Sequence, residues 1–330
     1  MKIAVLGNGG FGTAMALSLD RAGHSVSLWG HDPIYTMHIA ASRRNPRYLD
    51  AAVLPDSIRV TNDAARALDG VAFVLVAVPT QHVRPTVTRL AAHIAADTPI
   101  VSLAKGLEQS TSRRPTEVLA EVLGRPERVF ALSGPSHAEE IAQDLPTTVV
   151  VAGADEAVLQ TLQNALSTPT FRVYRNSDVI GLETCGALKN VMALAAGIAD
   201  GLGYGDNAKA AILSRGIVEM ARYGKGLGAD PRTFYGLGGV GDLAVTAFSR
   251  HGRNRAFGER IGRGETLEQA LAASPKVAEG VWTSRVVVAE AARRHVDMPI
   301  AQAVANVLFL GLSPRDAVRA LMERDPKAES

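Results

Sequence analysis

Three glycines near the N-terminus are spaced as in a loop that binds a dinucleotide. Gly7, Gly9 and Gly12 form the pattern G-x-G-x-x-G, which follows an apolar run, Ile3–Leu6, and precedes a predicted helix, Thr13–Ala22. The first glycine permits a tight turn, the second lets the backbone approach a pyrophosphate, and the third lets the helix pack on the strand. The helix N-terminus also attracts phosphate. This context favours dinucleotide binding over a glycine-rich turn without a ligand.

The residues after the second predicted strand, Ser25–Trp29, bear on which nicotinamide cofactor is bound. An acidic residue at this place accepts hydrogen bonds from the ribose of NAD, whereas a basic residue faces the 2′-phosphate of NADP. The chain has both, because His31 is followed by Asp32. Asp32 can instead cap the next helix, with Pro33 in its first turn, and we favour that interpretation. We therefore expect NADP(H) or NAD(H), and favour NADPH.

A lysine follows the fourth predicted strand. Lys105 comes shortly after the run Ile100–Ser102 and is followed by Gly106. Open α/β sheets bind ligands at the carboxyl ends of their parallel strands, so a lysine here can hold a phosphate or polarise a carbonyl. The alternative is a solvated loop lysine, and we favour the functional role.

A short polar segment follows the next predicted strand, Val129–Leu132. Gly134 and Ser136 lie where a turn becomes a helix N-terminus, so backbone N–H groups and a hydroxyl can bind an anion there. Ser136 can also be the N-cap of that helix, with Glu139 completing a capping box, and the two interpretations are compatible. His137 could act as an acid or base, which we do not favour.

The second half of the chain contains a lysine among alanine, glycine, leucine and methionine residues. Lys189 lies in the segment Gly186–Met192. Loss of solvation lowers the pKa of a lysine, and a lowered pKa suits a proton donor or acceptor near neutral pH. The alternative is a lysine whose tip extends to water, and the sequence leaves both open.

Polar residues follow the glycine run Gly236–Gly241. Asp242 closes this run and can be the charge partner of Lys189 or a helix cap. Arg253 and Asn254 come next in the chain as candidate ligands. Since an arginine matches a phosphate with two parallel hydrogen bonds, this segment predicts a phosphate site.

The elements that must position these residues change in type near residue 178. Strands alternate with helices before that point, and only helical patterns follow it. We predict an α/β fold: a Rossmann-like, doubly wound sheet domain over 1–178 that binds NAD(P), then an all-helical C-terminal domain over 179–330 that binds substrate and carries catalysis. The predicted strands are Ile3–Leu6, Ser25–Trp29, Phe73–Val78, Ile100–Ser102, Val129–Leu132, Thr147–Val151 and Phe171–Tyr174. The predicted C-terminal helices are Val179–Ala199, Asn207–Tyr223, Thr266–Ala273, Thr283–Arg294 and Ile300–Leu310.

Composition excludes several classes of protein. The net charge of +2 over 330 residues is too small for a general polyanion binder, so nucleic acid is not indicated. The one cysteine, Cys185, excludes an internal disulfide framework and fits a reducing compartment. We find no signal peptide and no run of the ~18 apolar residues that cross a bilayer, and expect a cytoplasmic protein. The histidines are scattered along the chain and there is one cysteine, so we predict no metal site.

Taken together, these motifs resemble the bacterial NAD(P)-dependent glycerol-3-phosphate dehydrogenase family. The resemblance rests on eight segments in the family's order, which are Gly7–Ala14, Leu28–Asp32, Ser102–Glu108, Leu132–Glu140, Gly186–Val191, Gly239–Leu243, Gly252–Gly258 and Val277–Gly280. It implies reduction of dihydroxyacetone phosphate to sn-glycerol 3-phosphate, a precursor of phospholipids, by a homodimer. Gly10 and Gly252 depart from the family, whose members often carry a hydroxyl residue at these positions.

The resemblance also implies roles for individual residues. Lys189 would be the proton donor in reduction and the acceptor in oxidation. Substrate would be bound by Lys105, Gly134, Ser136, Lys189, Asp242, Gly252, Arg253 and Asn254. Besides the glycines of the fingerprint, the cofactor would be bound by Gly10, Phe11, His31, Tyr48, Lys105, Ala138, Arg253, Val277 and Glu279.

Two other functions fit part of the sequence. A two-domain dehydrogenase of another small hydroxy acid would share Lys189 and Asn190 on a helix, although the phosphate-binding set around Arg253 argues against it. A non-catalytic NAD(P)-sensing protein would use the helical domain to bind a partner. Such a sensor need not keep Lys105 and Lys189.

Overall fold

The computed structural model describes residues 1–249, 252–273, 278–326 and 328. The chain divides into two compact units, Met1–Glu183 (unit 1) and Thr184–Ser330 (unit 2). Unit 1 combines a sheet with helices, whereas every element of unit 2 in the described ranges is helical. The predicted change from mixed to all-helical structure is confirmed.

Unit 1 is built on a mostly parallel sheet. The strands are β1 (Lys2–Leu6), β2 (Ser25–Trp29), β3 (Arg44–Asn45), β4 (Leu49–Val53), β5 (Arg59–Thr61), β6 (Phe73–Val76), β7 (Ile100–Ser102), β8 (Val129–Ser133), β9 (Thr147–Ala152) and β10 (Phe171–Asn176). The main sheet has the order β10-β9-β8-β7-β6-β1-β2-β5, and β3 pairs with β4 in a separate antiparallel hairpin. Neighbouring strands are parallel from β5 through β2, β1, β6 and β7 to β8. Strand β9 runs antiparallel to β8. The strand order reverses at β1, as in the predicted doubly wound fold.

Helices cover the sheet on both faces. In unit 1 they are α1 (Gly10–Arg21), α2 (Pro33–Ser42), α3 (Ala64–Leu68), α4 (Val83–Leu90), α5 (Pro115–Leu123), α6 (Ala138–Ala142) and α7 (Glu156–Leu166). Alternate residues of β1 enter two different apolar cores, since Ile3 and Val5 pack in one and Ala4 and Leu6 in the other. This two-sided burial explains why β1 is apolar at successive positions.

Unit 2 is a set of helices that begins within one long helix. This helix, α8 (Val179–Gly201), is followed by α9 (Asp206–Gly226), α10 (Asp242–Phe248), α11 (Arg253–Gly262), α12 (Leu267–Ala272), α13 (Glu279–Arg293), α14 (Pro299–Phe309) and α15 (Pro314–Met322). Helices α10, α11 and α15 were not predicted. The first two are short and lie among the glycines that dominate that part of the sequence.

The first residues of α8 belong to unit 1. The carboxylate of Glu183 accepts hydrogen bonds from Thr116 N at 2.9 Å and from Arg114 Nη1 at 3.1 Å, at the start of α5. Burial raises the pKa of this carboxyl to about 7. The two units therefore divide after Glu183, whereas the sequence analysis placed the boundary at residue 178.

One helix in the described ranges, α8, is long and apolar enough to cross a membrane by length and composition alone. No such segment was expected from the sequence. In the structure 89% of its most apolar window is buried inside the protein, which is the environment of a core helix.

Strands β3, β4 and β5 were not predicted from the sequence. β3 has two residues and β5 has three, so neither is long enough to show an alternating pattern. The start of α1 was predicted at Thr13, whereas α1 begins at Gly10, because glycine suggests a loop even where it opens a helix.

Candidate active site

The turn from β1 to α1 has the geometry of a phosphate-binding loop. Gly7 has a φ of +118°, which favours glycine. A Cβ on Gly12 would lie 1.9 Å from the carbonyl oxygen of Gly7, so only glycine lets α1 pack this closely. The first intrahelical bond runs from Thr13 N to Gly9 O, and the earlier N–H groups of α1 can bind a phosphate.

The hairpin of β3 and β4 packs against this loop. Asn45 is fully buried, and its Nδ2 donates to Asn8 O at 2.9 Å and to Thr13 Oγ1 at 2.7 Å. A Cβ on Gly10 would lie 3.0 Å from the carbonyl oxygen of Tyr48. The hairpin therefore brings Tyr48 to the glycine loop, although the two are far apart in sequence.

An aromatic pair and an arginine lie on the hairpin side of the loop. The rings of Tyr35 and Tyr48 meet edge to face at 5.9 Å. The guanidinium of Arg47 lies 4.3 Å from the centre of the Tyr35 ring, and Arg47 N donates to the Tyr35 hydroxyl at 3.0 Å. Burial raises the pKa of the Tyr35 phenol.

The end of β2 presents a histidine and a capping aspartate. Asp32 is the N-cap of α2, and its Oδ1 accepts a hydrogen bond from Tyr35 N at 3.1 Å. The interpretation of Asp32 as a helix cap is thereby confirmed. His31 is exposed just before this cap, where a ligand can reach it.

Three predicted residues of unit 1 meet beyond β7 and β8. Lys105 Nζ donates to Gly134 O at 2.9 Å and to Ser136 Oγ at 3.4 Å. Ser136 Oγ in turn donates to Gly134 O at 2.8 Å. Gly134 has a φ of +143°, and a Cβ there would lie 2.9 Å from Val149 Cα. The turn therefore requires glycine, and it brings a lysine and a hydroxyl together.

One prediction for this turn is wrong. The N-cap of α6 is His137 and has no side-chain capping bond, so Ser136 and Glu139 do not form a capping box. The Ser136 hydroxyl bonds to the preceding turn instead. Ala138 is the first residue of α6, and its Cβ lies 3.8 Å from the position that a Cβ on Gly10 would occupy. Ala138 is therefore close to the glycine loop.

The loop that carries Lys105 is held by a partly buried ion pair that was not predicted from the sequence. The carboxylate of Glu108 is 5% exposed and receives two hydrogen bonds of 2.9 Å from the Arg84 guanidinium. Hydrogen bonding to Arg84 lowers the pKa of Glu108. Gln81 Nε2 also donates to Leu107 O at 2.8 Å. These contacts join the loop to α4 and the turn before it.

Unit 2 contains a buried ion pair at Lys189. Lys189 Nζ lies 2.5 Å from Asp242 Oδ1 and donates to Thr246 Oγ1 at 2.8 Å. Lys189 is 6% exposed and Asp242 is 1% exposed, so the lysine tip does not extend to water. Thr246 Oγ1 donates to Asp242 O at 2.6 Å. The predicted partnership of Lys189 with Asp242 is present, and Thr246 joins it.

The glycine run before α10 places Asp242. Leu237–Gly241 forms a π-helix that continues directly into α10. A Cβ on Gly239 would lie 2.0 Å from Phe234 O, so a side chain cannot be accommodated there. Local π-helical turns of this kind are frequent at functional sites.

A second chain of contacts lies beside Lys189. Asn254 Nδ2 donates to Asn190 Oδ1 at 2.9 Å, and Asn254 Oδ1 accepts from Gly280 N at 3.0 Å. Glu279, one residue before Gly280, is partly buried and opens α13. Val277 lies outside the described residues.

The start of α11 presents the predicted arginine. Gly252 is the N-cap of α11, and a Cβ there would lie 2.7 Å from Thr246 O. Arg253 follows as an exposed side chain, while Asn254 is buried. Two residues missing from the prediction, Thr246 and Asn190, follow from position, since Thr246 lies one helical turn after Asp242 and Asn190 follows Lys189.

The sequence matches two family models. The first is described as the NAD-dependent glycerol-3-phosphate dehydrogenase N-terminus and covers residues 2–159. The second is the C-terminus of the same family and covers residues 178–319. The chain belongs to the NAD-dependent glycerol-3-phosphate dehydrogenase family.

Relatives in this family are similar over their whole length. The glycerol-3-phosphate dehydrogenase of Chlorobium phaeobacteroides is 47% identical over 331 residues, which cover 100% of this chain and 99% of that protein. The enzyme of the same name from Exiguobacterium sp. is 47% identical over 330 residues and is covered to 97%, with 99% of this chain matched. The crystal structure of the glycerol-3-phosphate dehydrogenase of Coxiella burnetii is 38% identical with a TM-score of 0.93, and 98% of this chain and 99% of that chain are covered.

Family membership confirms the resemblance, the fold class and the cofactor class. A chain of this family is an NAD(P)-dependent oxidoreductase that acts on a CH–OH group. Within the described ranges, no three or more histidine, cysteine, aspartate or glutamate residues are grouped so as to hold a metal ion.

Proposed function

We propose that this family member reduces dihydroxyacetone phosphate to sn-glycerol 3-phosphate with NADPH or NADH. The observation that carries the proposal is the buried group of Lys189, Asp242 and Thr246. The names of the full-length relatives support the choice of substrate. We further propose that the enzyme is a cytoplasmic homodimer without nucleic acid or membrane insertion, and that it supplies the backbone of phospholipids.

Lys189 is the proposed proton donor. The nicotinamide, when bound, supplies a hydride to the carbonyl carbon, and negative charge develops on the carbonyl oxygen. A proton passes from Lys189 Nζ to that oxygen, and the resulting amine takes up a proton from water before the next turnover. An ammonium stabilises the developing oxyanion more than it stabilises the neutral ketone. In the oxidation direction the neutral amine accepts the proton.

Asp242 and Thr246 keep Lys189 ready for this role. Burial disfavours the charged ammonium, whereas the adjacent carboxylate of Asp242 favours it. The contacts to Asp242 and Thr246 also fix the direction of Nζ, because both partners lie on α10. The charged ammonium of Lys189 is thus stabilised and oriented, although it is buried on an apolar helix.

The nucleotide is bound in unit 1 by backbone groups. The N–H groups at the start of α1, including those of Gly10 and Phe11, would bind the pyrophosphate. His31 and Tyr48 would line the adenosine side, and the hairpin contacts described above support the placement of Tyr48. The remaining proposed cofactor contacts are Gly7, Gly9, Gly12, Lys105, Ala138, Arg253, Val277 and Glu279.

The substrate phosphate is bound by cationic and amide groups. Arg253 is exposed at the first residue of α11 and can form two parallel hydrogen bonds to a phosphate. Asn254 lies next to it, and its amide is oriented by Asn190. The remaining proposed substrate contacts are Lys105, Gly134, Ser136, Lys189, Asp242 and Gly252.

Turnover by the purified protein tests the proposal. NADPH and NADH are supplied separately with dihydroxyacetone phosphate, and loss of the reduced cofactor is followed by absorbance. We expect turnover with this ketone and none with unphosphorylated dihydroxyacetone. Turnover of another hydroxy-acid precursor in its place, or cofactor binding without any turnover, would contradict the proposal. The ratio of the rates with NADPH and NADH measures the cofactor preference of the enzyme, on which His31 bears.

A further inference from the structure

Arg255 makes polar contacts to three parts of unit 2. Its Nη1 donates to Asp200 Oδ2 at 2.8 Å and to Glu259 Oε2 at 3.0 Å, and its Nε donates to Ser249 O at 3.1 Å. The side chain is only 16% exposed. With two carboxylates beside it, the guanidinium is neutralised within the protein and is not directed at a substrate anion.

The Ser249 carbonyl joins the end of α10 to the start of α11. It accepts a hydrogen bond from Gly252 N at 3.2 Å in addition to the one from Arg255 Nε. Ser249 is the C-cap of α10, the helix of Asp242, and Gly252 is the N-cap of α11. This carbonyl therefore links the two helix ends.

The anchor of Arg255 is itself fixed. Asp200 lies in the last turn of α8, and its Oδ1 lies 2.7 Å from Lys209 Nζ on α9. Lys209 Nζ in turn lies 5.2 Å from the ring of Phe248, the residue before Ser249. Arg255 is thus held by the last turn of α8, which Lys209 links to α9, and it connects this anchor to the Ser249 carbonyl.

We infer that Arg255 is a positioning residue that fixes the start of α11, so that Arg253 and Asn254 are held in place for the substrate phosphate. The inference rests on the proposed function. Arg253 has one residue between itself and Arg255, and its guanidinium is exposed. A shift of the Ser249 carbonyl would move the start of α11, which carries Arg253. Phosphate binding depends on the direction of the Arg253 guanidinium.

Steady-state kinetics of Arg255→Gln and Arg255→Lys test this inference, with Arg263→Gln as the matched control. Arg263 pairs with the same Glu259 but is 64% exposed. For Arg255→Gln we expect the KM for dihydroxyacetone phosphate and the Kd for glycerol 3-phosphate to rise about tenfold, with kcat within about twofold. Arg255→Lys keeps the charge beside Asp200 and should lie between wild type and Arg255→Gln. The control should match wild type.

A double variant separates positioning from general destabilisation. If Arg255 acts through Arg253, then Arg255→Gln adds little to the rise in KM already caused by Arg253→Ala. Full additivity of the two rises would overturn the inference. So would a loss of kcat in Arg255→Lys with an unchanged KM, because that pattern reports a smaller folded fraction. Should Arg255→Gln fail to fold, the same cycle is run with Arg255→Lys.

The binding and turnover readouts keep the two proposals distinguishable. Wild-type protein that binds glycerol 3-phosphate but does not reduce dihydroxyacetone phosphate would overturn the proposed reaction, while the Kd values would still test Arg255. Wild-type protein that neither binds nor turns over these compounds would overturn both.

Discussion

The glycine loop of unit 1 and the Lys189 group of unit 2 are built in opposite ways. The loop consists of backbone groups within a few residues of one another, and its geometry follows from missing side chains at Gly7 and Gly12. The Lys189 group consists of side chains, and its partners Asp242 and Thr246 lie 53 and 57 residues further along the chain. In the proposed function, nucleotide binding thus depends on local backbone, and chemistry depends on long-range packing.

Lys189→Ala should separate the two regions with the largest effect. We expect kcat to fall about 10²- to 10⁴-fold, the range typical for loss of a general acid, because no other proposed group supplies the proton. The Kd for NADPH should change little, since the loop of unit 1 is untouched. Lys225→Ala, an exposed lysine of α9, is the matched control. An unchanged kcat would remove Lys189 from its proposed role.

The comparison also shows how much the sequence could predict. The strand, loop and helix around Gly7–Gly12 were predicted because each element is contiguous, and only the start of α1 was misplaced. The ion pair of Lys189 with Asp242 was one of two open interpretations, and the structure decides between them. Thr246 was missed although it lies one helical turn after Asp242. The network of Arg255 was missed because contacts between distant residues leave no periodic pattern.

The same reasoning explains the error at Ser136. A serine followed three residues later by Glu139 satisfies the pattern of a capping box, so local chemistry predicts a cap. In the structure the hydroxyl instead bonds to Gly134 O, and Lys105 approaches it from a different strand end. A tertiary contact has replaced the local one, at a place where we propose that substrate binds.

Gly9→Ala should affect the loop alone. Gly9 is the N-cap of α1, and no atom lies within 4 Å of where its Cβ would be, so the thermal midpoint should fall only by the modest cost of alanine at an N-cap. A methyl group in the path of the pyrophosphate should raise the KM for NADPH more than about tenfold. Gly205→Ala is a matched control, since Gly205 is the N-cap of α9 and has equally open space. If both variants bind NADPH as wild type does, the loop does not hold the pyrophosphate.

Thr246→Val should affect the chemistry alone, and less strongly. It removes the hydroxyl that accepts from Lys189 Nζ at 2.8 Å but keeps the volume of the side chain. We expect kcat to fall about tenfold, the effect of one hydrogen bond to a charged group, with the Kd for NADPH unchanged. A kcat equal to that of wild type would show that Asp242 orients the lysine without Thr246.

Stability should depend on pH in both units through buried glutamates. Burial raises the pKa of Glu183 in unit 1 and of Glu219 in unit 2 from 4.5 to about 7. Because the folded protein binds these protons more tightly than the unfolded chain, their stabilising contribution is present below pH 4.5 and is lost as the pH rises to about 7. The loss is on the order of 3 kcal/mol per group at most.

Denaturant unfolding at a series of pH values between about 5 and 8, where most proteins are stable, measures how the free energy of unfolding depends on pH. Glu183→Gln and Glu219→Gln should each flatten the decline of unfolding free energy with rising pH. Glu127→Gln, an exposed residue, is the control and should leave the profile as in wild type. Two results together would contradict the protonation of these buried glutamates. They are a free energy of unfolding that rises with pH in wild type, and the same pH profile in both Gln variants.

The most direct test of the account follows the hydride itself. NADPH carrying two deuterons at C4 of the nicotinamide is supplied with dihydroxyacetone phosphate, and the product is analysed by mass spectrometry and NMR. The account predicts one deuteron at C2 of glycerol 3-phosphate for each NADPH oxidised by wild type. It also predicts almost no labelled product from Lys189→Ala, although that variant still binds NADPH. Unlabelled product from wild type, or full labelling by the variant at the wild-type rate, would contradict it.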